Sequence, residues 1–475
     1  MTDVADIAEI VDIASAPPGT ETVTAHGLAA WAQEARALLR LALPLMFSQL
    51  AQMAIMTTDV IMLGRLSSTA LASSTLGVTM FFFVWLFGFG PASAVSPMIA
   101  HVIGATPNAR ARVRHIGRMG LWSVLILSPP LMAVMLFSRP ILIALHQSPE
   151  LAANAGIFTT ALCLGVPASL GFQVLRNFAT ALNRPTAPLI VMLSAIAFNA
   201  LGDYTLIFGH FGFPKLGILG SGTASALSYT YTFVAMLVVI WATPSLRRYR
   251  ILRRFWRPVW SELREVFTLG MPIGLTTIFE AMFFNAATLT MGTFGMASLA
   301  AHQIAINVPS ITFMVPLGIA MASTVRVGMA AGRGDGDSVR RAGYSAILMA
   351  AVFMSLMGVL ILTNTDRIAA LYLPHTPANE HVIAIAVLFL RVAGIFQIVD
   401  GVQVAASLSL RGLKDAHAPM FIAGASYWLG GAPVCVWLAF GEHMKGLGIW
   451  YGLAFGLVIA AILLVWRWWA MSRRW

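Results

Sequence analysis

Long apolar stretches free of charge alternate with short arginine-bearing connections along this chain. No Asp, Glu, Lys or Arg occurs in 66–109, 119–138, 151–175, 216–246, 281–325, 342–365, 416–441 or 446–466. A helix needs about 20 mainly apolar residues to cross the hydrocarbon of a bilayer. Strands of a membrane barrel would show short alternating segments instead. The pattern therefore predicts twelve spanning helices, at roughly 38–62, 74–101, 119–138, 153–179, 188–209, 218–241, 267–291, 302–327, 342–363, 384–410, 417–440 and 447–469. The expected fold class is an all-α membrane protein.

The pattern also repeats. At an offset of 228 residues, Leu41-Ala42-Leu43-Pro44 falls on Leu269-Gly270-Met271-Pro272, Gly64 on Gly292, Leu71-Ala72 on Leu299-Ala300 and Gly104 on Gly332. At 231, Pro188 falls on Pro419 and Leu216-Gly217-Ile218 on Leu447-Gly448-Ile449. Identity is low, but the register holds through each stretch. The expected organisation is a cytoplasmic tail at 1–35, a six-helix lobe at 36–241, an arginine-rich cytoplasmic linker at 242–265 and a second six-helix lobe at 266–475. Six is even, so the two pseudo-symmetric lobes enter the membrane from the same side, as parallel repeats about an axis along its normal. Duplicated multi-helix folds of this kind are mostly transporters, with a cleft between lobes that rock against each other.

Composition sharpens this picture. The chain has 475 residues, of which 58% are hydrophobic and 10% charged, against about 25% charged in soluble domains. That excludes a water-soluble enzyme, a disordered chain and a nucleic-acid binder built on basic patches. The net charge is +11, which in a membrane protein reflects basic residues gathered in cytoplasmic loops. With the N-terminus placed inside, 24 of the 30 basic residues lie in inside segments and five outside, with Arg391 within a span. Both termini are therefore expected in the cytoplasm. Residues 1–30 are acidic and broken by Pro17-Pro18-Gly19. No positive region precedes an apolar stretch there, so the start does not read as a signal peptide. Cys163 and Cys435 stand alone in apolar runs, as small core hydrophobes.

Candidate chemistry rests on acids at membrane depth. An acid at the centre of a span costs about 2.5–3.5 kcal/mol on insertion scales, so acids kept there usually serve function. Four qualify, Asp59, Asp203, Glu280 and Asp400. Asp59 lies late in the first predicted helix and Asp203 late in the fifth, with Asn199 one turn before it on the same face. These three offer oxygen ligands to one small cation, or one carboxylate holds a proton. Holding a carboxylate charged out of water is costly, more so beside a second one, so such a group trades its proton at accessible pH. Glu280 is near mid-depth of the seventh helix, and Asp400 of the tenth, where Gln397 and Gln403 flank it. The alternative is a structural hydrogen-bonded pair that locks two helices.

Gln397 and Gln403 are also candidates for binding substrate, and Gln49, Gln52, Asn285 and Gln303 are weaker ones, either interhelical hydrogen-bonding groups or lining of a cleft that takes substrate. His101, His302 and His381 sit at predicted helix ends and need no special role. Arg391 is expected to snorkel, and Trp466, Trp468, Trp469 and Trp475 form an interfacial belt. The aromatic run Phe81-Phe82-Phe83, Trp85 and Phe87 packs mainly on lipid and helices, with some rings able to stack on flat cations. No phosphate loop, HExxH, GxSxG or CxxC occurs, so neither ATP-driven transport nor intramembrane hydrolysis has positive support.

Several of these residues carry a family resemblance. Thr58-Asp59-Val60-Ile61-Met62-Leu63-Gly64 followed by Leu71-Ala72 resembles the first-helix motif of the multidrug and toxic compound extrusion (MATE) transporters. Ile278-Phe279-Glu280 is similar to the seventh-helix glutamate motif of the NorM-like branch. Asp400-Gly401-Val402-Gln403, with Leu410-Arg411-Gly412 and Lys414-Asp415, is similar to its tenth-helix signature. The resemblance covers about 36–470. It implies a V-shaped pair of six-helix lobes in a bacterial inner membrane that exports cationic, often aromatic drugs in exchange for Na+ or H+. The chain is expected to work as a monomer in membrane lipid, with no cofactor besides the coupling ion. Glu280 and Asp400 would then hold the second-lobe cation, Na+ included. Asn199 and Asp203 look like the Asn-x-x-x-Asp pair of the proton-coupled branch, a departure from NorM-like members, which often have asparagine where Asp203 stands. The nearest rival is a flippase for a lipid-linked precursor. That activity calls for arginine and lysine in the cleft, whereas only Arg391 is expected well inside a span.

Overall fold

The computed structural model describes residues 27–475 apart from 107, 108, 375 and 378. Every regular element among these residues is helical. Twelve helices are long and apolar enough to cross a membrane. They are α1 (Leu28–Leu66), α2 (Thr69–Ala105), α3 (Arg110–Leu136), α4 (Pro149–Ala181), α5 (Thr186–Phe208), α6 (Ile218–Ala242), α7 (Trp260–Gly292), α8 (Met296–Arg333), α9 (Gly336–Thr363), α10 (Glu380–Gly412), α11 (His417–Gly441) and α12 (Lys445–Ser472). Each coincides with one of the twelve expected spans.

The ends run further than the apolar stretches. α1 starts at Leu28 and α7 at Trp260. Residues 28–35 therefore belong to the first helix rather than to a tail, and 260–265 to the seventh rather than to the linker. The added turns contain Ala, Leu, Glu and Arg, good helix formers that need no bilayer. Some of this polar extension is itself packed. Glu34 is only 1% exposed and accepts from two of the Arg326 guanidinium nitrogens, Nε at 2.8 Å and Nη2 at 2.5 Å. The remainder of the expected tail, 1–26, lies outside the described residues.

Local irregularities follow the prolines. Pro44 sits inside α1 and Pro272 inside α7. α4 passes through a 3-10 turn at Cys163–Gly165, just ahead of Pro167. α11 widens into π turns at Ala425–Gly431 and Trp437–Gly441, on either side of the stretch that holds Pro433. Prolines and π turns are the usual causes of bends in long helices.

The described residues group into two compact units. One comprises Phe47–Gly274, and the other joins α1 up to Met46 to Leu275–Trp475. This grouping differs from the six-plus-six division expected at 241. The first half of α1 packs with the later helices, and the first half of α7 with the earlier ones. The arrangement obeys the sequence repeat, because Met46 and Gly274 are 228 residues apart.

Close backbone contacts hold the exchanged half-helices. In the first unit, a Cβ on Gly90 of α2 would stand 2.3 Å from the Gly270 carbonyl oxygen of α7. In the second, a Cβ on Gly318 of α8 would stand 2.8 Å from the Met46 nitrogen of α1. Gly90 and Gly318 are again 228 apart. Lipid supplies no hydrophobic drive between helices, so small residues that let backbones touch supply the packing.

The second unit has an aromatic core. Trp450 and Tyr427 are fully buried among Phe283, Phe389 and Phe396. Phe283 stacks on Tyr427 with centroids 5.4 Å apart.

Candidate functional site

Each unit holds one cluster of acids at membrane depth. In the first, α1 carries Asp59, and α5 carries Asn199 and Asp203 one turn apart. Asp203 is 0% and Asn199 1% exposed, and Asp59 is half-buried. The Asp59 carboxyl has Asp203 and Asn199 as its side-chain neighbours, so the structure brings the three expected residues together. Tyr229 of α6 joins them on the Asp59 side, held by stacking on Phe81 of α2 with centroids 5.3 Å apart.

The cluster is poor in completed hydrogen bonds. Asp59 Oδ1, both Asp203 carboxylate oxygens and both polar side-chain atoms of Asn199 are buried without a partner at bonding geometry. Each buried polar atom left in that state costs about 1–3 kcal/mol, and native proteins keep few of them without a purpose. Clustered carboxylate and amide oxygens suit a proton or a small hard cation. Among the described residues no group of three or more His, Cys, Asp or Glu side chains has the arrangement of a metal site.

The second unit places Glu280 of α7 and Asp400 of α10 in electrostatic contact. Asp400 is 7% exposed, and its Oδ1 has no partner. Tyr427 of α11 faces both acids and receives a 2.9 Å hydrogen bond from Gln403 Nε2. Trp428 Nε1 donates to the Phe279 carbonyl at 3.3 Å, tying α11 to α7 beside the glutamate. Gln397 is fully buried and structural, accepting from the Thr312 hydroxyl at 3.0 Å and donating to the Met354 carbonyl at 3.4 Å. The two glutamines thus flank Asp400 as expected, but their amides are engaged with other helices.

Other expectations change. Gln49 accepts from the buried Arg176 guanidinium, which ties it to a helix partner. Asn285 is exposed and bonds back to the Ala281 carbonyl at 2.8 Å, and Gln303 is exposed on α8. Gln52 is half-buried on α1. His302 is no interfacial group. It is 0% exposed, 3.0 Å from the Thr288 hydroxyl, with its ring edge on Trp450, because α8 starts earlier than its apolar stretch. Nor is Arg391 the only arginine within the helices, since Arg176 of α4 is 3% exposed. Arg391 itself is exposed.

Two site residues carried too little signal to be selected. Tyr229 is one of two tyrosines, with Tyr231, in a helix that also carries several serines and threonines, so nothing in the sequence singles it out. Arg411 reads as a loop charge beside Lys414, yet it occupies the last turn of α10, half-buried, and its charge acts on Glu280. The second cluster therefore contains two acids and one internal cation, whereas the first contains two acids and neutral groups.

The comparisons with known proteins agree with the helical fold. The MatE family model matches residues 44–205 and again 272–437, two stretches whose starts are one repeat apart. A probable multidrug resistance protein NorM of Mesorhizobium japonicum is 44% identical over 92% of this chain and 94% of its own length. One of Brucella suis is 41% identical over 92% and 93%. Among solved structures, a eukaryotic MATE transporter superposes with a TM-score of 0.82 at 22% identity, covering 94% of this chain and 98% of that one. A MATE in complex with MaL6 gives 0.83 at 19% identity, covering 93% and 97%.

Proposed function

Since this chain belongs to the MatE family, we propose that it is a secondary multidrug antiporter, exchanging cationic aromatic drugs for Na+ or H+. It is a multi-pass membrane protein and a transporter rather than an enzyme. In the proposed cycle it works as a monomer in a bacterial inner membrane, with both termini in the cytoplasm. An inward-moving ion neutralises acids in one or both clusters, the polar contacts of the helices re-pair, and the drug site changes side or affinity. One charge crossing is worth about 2.3 kcal/mol per 100 mV, a bias of roughly fiftyfold in drug gradient.

The observation that carries this reading is the set of buried carboxylate oxygens without partners in both units. Among the described residues none of these four acids makes an ion pair, so they are open to an exchangeable ion. The flippase reading needs guanidinium groups available to phosphate. The buried Arg176 is bound to Gln49, and Arg411, without forming an ion pair among the described residues, lies close enough for its charge to act on Glu280.

The test uses proteoliposomes with an imposed Na+ or H+ gradient and a fluorescent cationic dye. Wild-type protein is expected to move dye against its gradient with one of the two ions. Asp59→Asn, Glu280→Gln and Asp400→Asn are expected to insert normally, and the coupling cluster is the one whose variants lose ion-driven dye movement. Wild-type dye movement in all three variants would end the coupling assignment. Dye movement without either gradient would end the antiport reading itself.

A further inference from the structure

The arginine-rich connection between α6 and α7 is not needed by the ion sites, yet it is built with care. Arg118 of α3 donates through Nη1 to the Arg253 and Arg254 carbonyls at 3.2 and 2.8 Å. Trp122 Nε1 donates to the Phe255 carbonyl at 2.8 Å. Tyr249 is buried edge-on against Phe178 of α4, with centroids 6.0 Å apart. The strap is thus fixed to the ends of α3 and α4, and two of its arginines pay for the shape in backbone conformation. Arg250 and Arg254 hold φ of 49° and 55°, a region that costs a side-chain-bearing residue about 1–2 kcal/mol.

What the strap presents is a basic and apolar surface. Arg247, Arg250 and Arg253 line a cleft of about 610 Å³ together with Leu237, Val238 and Trp241. The Arg247 guanidinium lies 5.1 Å over the Trp241 ring. No acid occurs between Asp203 and Glu262, and Glu262 is paired with Arg112 at 3.1 Å. Trp241, Trp256 and Trp260 are all more than 60% exposed. Tryptophans of this kind mark the headgroup level of a bilayer. Arginines retained only to orient the chain would need no shared cleft, no rigid backbone and no apolar wall.

We infer that this cleft binds one anionic phospholipid, its phosphate held by Arg247, Arg250 and Arg253 and an acyl chain laid along Leu237, Val238 and Trp241. The planar fork of arginine matches phosphate oxygens in pairs. Basic pockets at helix ends on the cytoplasmic side take lipid headgroups by this chemistry, and the proposed orientation puts the strap on that side.

Native mass spectrometry of the purified full chain, titrated with phosphatidylglycerol or phosphatidylcholine of the same acyl chains, tests this. One bound phosphatidylglycerol is expected to be retained in preference to phosphatidylcholine. The triple variant Arg247→Gln, Arg250→Gln, Arg253→Gln is expected to retain it roughly tenfold or more weakly, since each basic residue near the surface contributes about 1 kcal/mol. Arg473→Gln with Arg474→Gln is expected to leave retention unchanged. Val238→Trp fills the apolar wall and leaves every charge in place, so it must also lose the lipid. Equal retention of the two lipids would overturn the proposal. So would loss in the triple variant with full retention in Val238→Trp, which would mean diffuse attraction. Displacement by millimolar inorganic phosphate would replace the lipid with a free anion.

Discussion

At the scale of single residues, the two acid clusters differ by one charge. Asp59 and Asp203 face each other with only neutral groups beside them, whereas Arg411 stands near Glu280. An internal guanidinium lowers the affinity of a carboxylate pair for any further cation. Arg411→Met is therefore expected to lower the half-saturating concentration of the coupling ion by roughly tenfold if the second unit couples, on the scale by which a neighbouring charge moves proton affinity. Arg411→Lys keeps the charge and is expected to stay near wild type. Ion-dependent dye transport in vesicles measures both, and an unchanged half-saturation in Arg411→Met would place coupling in the first unit alone. The acids were legible from the sequence because charge inside an apolar run is costly and rare. Arg411 was not, since it stands three residues from Lys414 and only the observed helix end puts it inside. The amides misled for a related reason. A polar side chain in a span must bond to something, and composition does not say whether Gln49 meets a substrate or Arg176.

At the scale of helices, the apolar runs located every span and misjudged their ends. Hydropathy reports contact with lipid, and a helix continues wherever propensity and packing support it. The exchange of half-helices was invisible for a different reason, because it depends on backbone contact that leaves only a glycine in the sequence. Gly90→Val would drive a branched side chain into the Gly270 carbonyl and the Gly274 backbone, where no flexible side chain can yield. Gly318→Val would meet the Met46 backbone in the same way. Overpacking of this kind costs about 1–3 kcal/mol. Each variant is expected to lower the midpoint of thermal unfolding in detergent, and both together to lower it by about the sum, since the contacts lie in separate units. Gly292→Val, at a glycine with nothing within 4 Å, is the control and is expected to change little. Wild-type stability in Gly90→Val would mean that the half-helices are held by other contacts.

At the scale of the whole molecule, the proposed orientation rests on charge alone. The 24 basic residues assigned inside and the five assigned outside give a bias that the insertion machinery reads as cytoplasmic retention. The lengthened helices leave the assignment intact, because α1 and α7 grow at the ends where Arg36, Arg40 and Arg264 already lie. The described residues hold twelve candidate spans, an even number, and the proposed orientation therefore puts both termini on the cytoplasmic side. Impermeant maleimide labelling of single-cysteine variants, with Cys163 and Cys435 replaced by alanine, checks this in intact cells. His443→Cys, in the short turn between α11 and α12, is expected to react from outside. Ser245→Cys, at the start of the strap, is expected to react only after the membrane is opened. The reverse pattern would invert the protein. It would turn proposed drug export into import under the same ion gradient and place the arginine cleft in the opposite leaflet. Orientation is thus the premise shared by the transport and lipid proposals, while the acid clusters bear only on the first and the strap only on the second.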